Sequence, residues 1–276
     1  MKDKKLVVKV GTSTLTYESG RLNLRRMEQL CKVLCNLQNA GYDVVLVSSG
    51  AIGVGIGKLG LKERPKETRK KQALAAVGQC ELMFMYDKFF GEYNHTVAQV
   101  LLTRREIENE HSKQNVVNTF HTLLEMGIIP IVNENDTVAI DELDGQNFGD
   151  NDMLSAIVAS IIGVQQLIIL TDIDGLYDKN PKTNPDAKLI RQVGKIDGAI
   201  KKMADGTGSN RGTGGMRTKL LAAEFATAGG IECCVINGTN PENIYALLEG
   251  KAIGTKFMAF EAPDRLSCSG RPDCCL

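Results

Sequence analysis

Val44-Val45-Leu46-Val47-Ser48-Ser49-Gly50-Ala51 joins an unbroken apolar run to a cluster of small and polar residues. A strand that is apolar on both faces belongs to a parallel sheet covered by helices on either side. The serines and glycine that follow mark the carboxyl end of that strand, where open α/β sheets collect their ligands. The same arrangement recurs on both sides of this segment. Lys5 to Val10 reads as a strand followed by Gly11-Thr12-Ser13. Asn23 is a suitable N-cap for a helix to about Asn39, with Leu24, Met27, Leu30, Cys31, Leu34 and Leu37 on one side and Gly41 as its stop. Further on, Arg69 to Phe90 predicts a long helix with small residues at its centre, Ala73 to Gly78. Strands are expected at Val97 to Leu102, Ile128 to Val132, Leu167 to Leu170 and Cys233 to Ile236, and helices at Asn115 to Met126, Asp152 to Ile162 and Met216 to Ala228. Pro130 is tolerable only near a strand end or sheet edge. Strand–helix alternation on this scale predicts an α/β fold, a mainly parallel sheet with helices on both faces. One compact domain is expected over residues 1–260, with a poorly ordered tail at 261–276 that is rich in Pro, Gly, Ser and charge.

Composition narrows the function classes. The 276 residues are 43% hydrophobic and 24% charged, with a formal net charge of zero. That balance gives no broad electrostatic case for nucleic acid or an acidic membrane, and 5% aromatic content without Trp gives none for base stacking. No apolar run approaches a membrane span, and Leu6-Val7-Val8 before Lys9 is too short for a signal peptide. A cytoplasmic location is expected. The eight cysteines then read as packing groups and not disulfides. Cys31 and Cys35 suit one helix face, Cys233-Cys234 a buried strand, and Cys268, Cys274 and Cys275 lack zinc-site spacing. His95, His111 and His121 show no metal-ligand spacing either, so no protein-held metal is expected.

Gly212-Thr213-Gly214-Gly215-Met216-Arg217-Thr218-Lys219 is the strongest chemical signal. Glycines without Cβ atoms let backbone N–H groups close around an anion, and the helix N-terminus that follows favours phosphate. Lys219, about one turn into that helix, adds a positive charge. Leu220, Leu221, Ala223 and Phe225 are expected to form the buried face. Lys9 ends an apolar strand, where a buried charge needs a partner. It reaches a phosphate beside Gly11, or it guards a sheet edge. Polar strand ends at Ser48-Ser49-Gly50, Asn133-Glu134-Asn135-Asp136 and Thr171-Asp172 converge on one sheet edge. Asp150-Asn151-Asp152 opens a helix, and with Asp136 it can hold an amine, a metal or the lysines. Two patterns are decoys. Gly55-Ile56-Gly57-Lys58-Leu59-Gly60 fits a dinucleotide motif without the strand–turn–helix context, and Gly57-Lys58 lacks the hydroxyl and first glycine of a phosphate-binding P-loop.

Val8-Lys9-Val10-Gly11-Thr12-Ser13, Val47-Ser48-Ser49-Gly50-Ala51-Ile52, Gln72 to Gln79, Val132 to Asp136, Gly149 to Asp152, Leu170 to Tyr177 and Gly212 to Met216 occur in an order that resembles the amino acid kinase superfamily. The likeness runs from about Leu6 to Phe257, and it is greatest to the branch that phosphorylates glutamate. It implies an αβα sandwich around a mainly parallel open sheet and ATP-dependent phosphorylation of the γ-carboxylate of L-glutamate, the first step of proline biosynthesis. Lys9, Lys219 and Asp152 would be catalytic, with Asp152 organising the lysines. Ser49, Gly50, Asn133, Asp136, Asp150 and Asn151 would bind glutamate. Lys9, Gly11, Thr171, Asp172 and the run Thr213, Gly214, Gly215, Met216, Arg217, Thr218, Lys219 would bind ATP, with Mg²⁺ between its phosphates. Proline would be a feedback inhibitor and the assembly a dimer or tetramer. Many members carry a C-terminal PUA domain; a form without one is expected here. The reading from another class is a non-catalytic nucleotide- or amino-acid-binding module, which loss of Lys9 or Lys219 would favour; both are present.

Overall fold

The computed structural model of the chain describes residues 4–139, 151–204 and 215–259. Strand β1 (Lys5–Val10) leads through a short α1 (Thr12–Leu15) into α2 (Leu24–Asn39) and β2 (Asp43–Ser48). Helices α3 (Ala51–Leu59) and α4 (Thr68–Gly91) precede β3 (Val97–Leu102), then α5 (Arg104–Glu108), α6 (Glu110–Glu125) and β4 (Ile129–Glu134). The second half runs α7 (Asn151–Ile162), β5 (Gln166–Thr171), β6 (Gln192–Val193), α8 (Gly198–Ala204), α9 (Met216–Ala228), β7 (Glu232–Asn237), α10 (Asn243–Leu248) and β8 (Thr255–Phe257). The strands form one sheet in the order β3-β4-β2-β1-β5-β7-β8-β6. All pairings are parallel except β7 with β8.

The alternation of side chains along each strand divides the core in two. Val7, Val45, Val47, Leu167, Ile169 and Val235 face one layer, filled by α6, α7 and α9 through residues such as Phe120, Leu154 and Leu220. Leu6, Val8, Val10, Leu46, Ile168 and Ile236 face the other, filled by α2, α3 and α4 through Met27, Leu30, Val54 and Leu82. This is the expected αβα sandwich. Asn23 caps α2 by accepting from the Arg26 N–H, and Pro130 sits at the second position of β4, before pairing with β2 begins at Ile131. Cys31 and Cys35 are buried in α2, where burial pushes the Cys35 thiol up to about 12; such thiols are inert packing groups.

Three expectations are corrected. Leu24, Leu221 and Phe225 are exposed. The buried side of α9 is instead Met216, Lys219, Leu220, Ala222, Ala223, Ala226 and Thr227, because small residues let the helix lie close to the sheet. The sheet-edge reading of Lys9 fails, since β1 is hydrogen-bonded to β2 on one side and β5 on the other. Residues 55–59 of the dinucleotide decoy lie inside α3, a helix the sequence did not predict. Their glycines serve close packing. A Cβ on Gly55 would lie 2.1 Å from the Leu74 carbonyl oxygen, and one on Gly57 2.4 Å from the carbonyl carbon of Gly20.

Candidate active site

Because β1, β2, β4, β5 and β7 are mutually parallel, their polar carboxyl ends share one edge. After β1 the chain passes to the α2 layer, and after β5 it passes to the α9 layer. A crevice between two such strands is where ligands bind in sheets of this kind. Lys9 belongs to β1, at the centre of that edge, and shares its sheet face with Val7.

Asp152 ties the edge together. It sits in the first turn of α7 with no solvent exposure. Its Oδ1 is 2.6 Å from Lys9 Nζ. Its Oδ2 accepts from Lys219 Nζ at 3.1 Å and from Thr218 Oγ1 at 2.8 Å, both carried by the first turn of α9. Lys9 and Lys219 are themselves buried, at 3% and 6% exposure. Burial alone drives the Asp152 carboxyl up. The charges of Lys9 and Lys219, with the bonds from Lys9 and Thr218, outweigh it and hold the group well below the usual carboxylate range. One carboxylate thus holds two ammonium groups, one from each half of the chain. Two lysines drawn together on one carboxylate place their charges side by side, which suits an anion brought beside them.

A second cluster lies at the ends of β2 and β4. Asn151, adjoining Asp152, donates from Nδ2 to Ser49 Oγ at 2.9 Å, to Asn133 Oδ1 at 2.8 Å and to the Ser48 carbonyl at 3.3 Å. Asn133 donates to Gln79 Oε1 of α4 at 2.8 Å. Ser48 Oγ meets Tyr86 OH at 2.8 Å, so α4 backs this cluster at two points. Gly50 has φ of 109°, a conformation open to glycine and costly for other residues, and it turns β2 sharply into α3. Asp136 lies in the turn just past β4.

On the other flank, Thr171 ends β5, with Oγ1 donating to Asp172 Oδ1 at 3.3 Å. Gly11 precedes α1, and Gly215 is the extended N-cap of α9. Met216 is buried and Arg217 exposed. The sequence-predicted residues therefore fall into two groups, Ser49, Asn133, Asn151 and Asp136 to one side of Lys9 and Thr171, Asp172 and the start of α9 to the other. Asp150, Thr213 and Gly214 lie outside the described residues. Gln79 and Tyr86 were missed as site residues, although Gln79 ends a motif the resemblance drew attention to; their only signal is a polar side chain on a helix face that is otherwise apolar.

The chain belongs to the amino acid kinase family, whose model matches residues 4–237. A glutamate 5-kinase of Clostridium perfringens (strain 13 / Type A) is 60% identical over 257 residues, covering 93% of this chain and 96% of that protein. A glutamate 5-kinase of Listeria monocytogenes serovar 1/2a is 52% identical over 255 residues, 92% of each chain. The product complex of isopentenyl phosphate kinase from T. acidophilum superimposes with a TM-score of 0.63 at 20% identity, covering 91% of this chain and 99% of that one. At that identity the likeness is one of fold.

Proposed function

We propose that this enzyme transfers the γ-phosphate of ATP to the γ-carboxylate of L-glutamate, giving L-glutamyl 5-phosphate and ADP, the first step of proline biosynthesis from glutamate. The observation that carries the reading is the buried Lys9–Asp152–Lys219 arrangement at the centre of the sheet edge, in a chain 60% identical to a glutamate 5-kinase. Glutamate takes the side of β2 and β4, with Ser49, Gly50, Asn133, Asp136 and Asn151 as its contacts. ATP takes the side of β5 and α9, with Thr171, Asp172 and the start of α9 around its phosphates. A γ-carboxylate oxygen attacks the γ-phosphorus, and the bond to the β–γ bridging oxygen breaks. Two anions must be brought together, so the protein's task is positioning and charge stabilisation. Lys9 and Lys219 approach the transferring group from two elements, and Asp152 keeps both in place without a large reorganisation.

Among the described residues no group of three His, Cys, Asp or Glu is placed to hold a metal, and Asp152 is already engaged by two lysines. The described residues do not form a Mg²⁺ cage. Mg²⁺ accompanying ATP would rest on the phosphates themselves, as is common for this ion. Proline, which shares the α-amino acid head of glutamate, is proposed as an inhibitor competing for the glutamate side, and the working assembly as a homo-oligomer.

A coupled assay of ADP formation with a panel of acids tests the reading. Glutamate should stimulate ADP release, while N-acetylglutamate, carbamate and UMP should not. A folded enzyme that prefers N-acetylglutamate overturns it. Proline should raise the apparent glutamate KM, and indifference to millimolar proline removes the inhibitor assignment alone.

A further inference from the structure

Three side-chain amides, those of Gln79, Asn133 and Asn151, form one hydrogen-bonded chain that ends on Ser49. An amide can be turned end for end, so the direction of such a chain must be set by a group that cannot turn. Here that group is the backbone N–H of Glu134, which donates to Asn133 Oδ1 at 2.9 Å. Asn133 therefore faces Gln79 with its Nδ2, and Gln79 must present Oε1. Asn151 meets Asn133 at the same Oδ1 and must present its own Nδ2. That Nδ2 is also the group beside Ser49 Oγ and the Ser48 carbonyl. Both hydrogens of Asn151 are then directed into the protein, and its Oδ1 is left to accept from a ligand. Ser49 Oγ already accepts, and its own hydrogen is left to donate. An acceptor beside a donor matches an ammonium group and a carboxylate on one small molecule.

We infer that Gln79 is a positioning residue for substrate: its buried Oε1 accepts the Asn133 Nδ2 that the Glu134 N–H directs toward it, and so secures the orientation that makes Asn151 an acceptor and Ser49 a donor toward the amino acid. Gln79 is 8% exposed and Asn133 2%, so without that acceptor Asn133 Nδ2 would be left buried and unpaired. The inference rests on the glutamate side being where the proposed function puts it.

The test compares wild type with Gln79→Met, which keeps the length and removes the acceptor, and Gln79→Glu, which keeps an acceptor oxygen. Glutamate and ATP saturation curves are measured for each, with thermal melts to establish folding. Gln79→Met should raise the glutamate KM about tenfold, the fold-change of one lost hydrogen bond, with the ATP KM unchanged. Gln79→Glu should recover most of that loss. A merely structural role would instead disturb both substrates together, or leave the two variants equally impaired; either result overturns the inference, as does a normal glutamate KM in Gln79→Met. If Gln79→Met does not fold, Gln79→Glu decides alone: a glutamate KM more than about threefold above wild type then counts against an acceptor role. A wild-type enzyme idle with glutamate overturns the substrate reading itself and this inference with it, an outcome distinct from failure of the variants alone.

Discussion

Lys9 Nζ stands 2.6 Å from Asp152 Oδ1, and neither side chain is open to solvent. Lys219 occupies the other carboxylate oxygen. Burying three charges costs several kcal/mol for each ion unless they compensate one another. Asp152→Asn removes the buried carboxylate that both ammonium groups share. A loss of about 3–5 kcal/mol is expected, the usual cost of breaking a buried pair from one side. Urea unfolding of wild type and Asp152→Asn measures it, and equal midpoints with equal slopes would show that the triad contributes nothing to the fold.

The same carboxylate gives an acid signature. Its folded pKa is depressed below the unfolded value of about 3.9. Its contribution to stability is therefore complete above that value and is lost as pH falls toward the folded pKa. Wild type should lose stability steeply below about pH 4, and Asp152→Asn should lack this component of the slope. Melting temperatures between pH 7 and pH 3 test the difference. Parallel curves would mean that Asp152 keeps an ordinary pKa.

Gly78 makes a different kind of prediction. A Cβ there would lie 1.7 Å from the Ala51 carbonyl oxygen and 2.5 Å from the Gly55 nitrogen. Gly78→Ala should push α4 off α3 and cost about 1–3 kcal/mol, as overpacking does. Gly91→Ala, at the end of the same helix with nothing within 4 Å, should be neutral or slightly stabilising. Thermal melts of the pair check this, and a Gly78→Ala protein as stable as Gly91→Ala would mean the helices can separate freely.

These glycines also show where sequence reading stops. The apolar run of β2, the N-cap at Asn23 and the need of Lys9, in an apolar strand, for a partner were legible, because each depends on neighbours close in the chain. Helix α3 was not. Gly53, Gly55 and Gly57 weaken helix propensity, and the close neighbours that explain them, Thr12, Leu74 of α4 and Gly20, are distant in sequence. The face of α9 was misjudged for the same reason: Leu221 and Phe225 look like core residues until the small residues beside Lys219 are seen against the sheet. At the site, the strand ends announced themselves, and the link from Asp152 to both lysines followed from family resemblance. The support from Gln79 and Tyr86 required the fold, since a polar residue on a long helix carries no address of its own.

Asp136, in the turn after β4, is proposed to meet the α-amino group of glutamate. Asp136→Ala should weaken use of glutamate by about 1.5–3 kcal/mol, the range for a hydrogen bond to a charged group, with the ATP KM little changed. Steady-state kinetics at saturating ATP measure it. An unaltered glutamate KM would remove Asp136 from the binding set.

Lys9 and Lys219 reach one carboxylate from β1 and α9, so they can approach a transferring phosphoryl group from two sides. If they stabilise charge that spreads in the transition state, removing either should lower kcat far more than it weakens ATP binding. Loss of one such contact typically costs about 2.7–4 kcal/mol, roughly a hundred- to thousandfold in rate. Lys→Arg should rescue poorly at both positions. The larger planar guanidinium does not fit a buried site shaped around an ammonium on Asp152, which holds Lys9 at 2.6 Å and Lys219 at 3.1 Å. The two losses should also be less than additive, because either substitution leaves Asp152 pulled toward the remaining lysine. The measurement is kcat and ATP KM for Lys9→Ala, Lys219→Ala and the double variant, each with a melt to confirm folding. A folded Lys219→Ala enzyme with near-normal kcat would reduce that lysine to a structural counter-ion and leave the proposed mechanism without one of its two lysines.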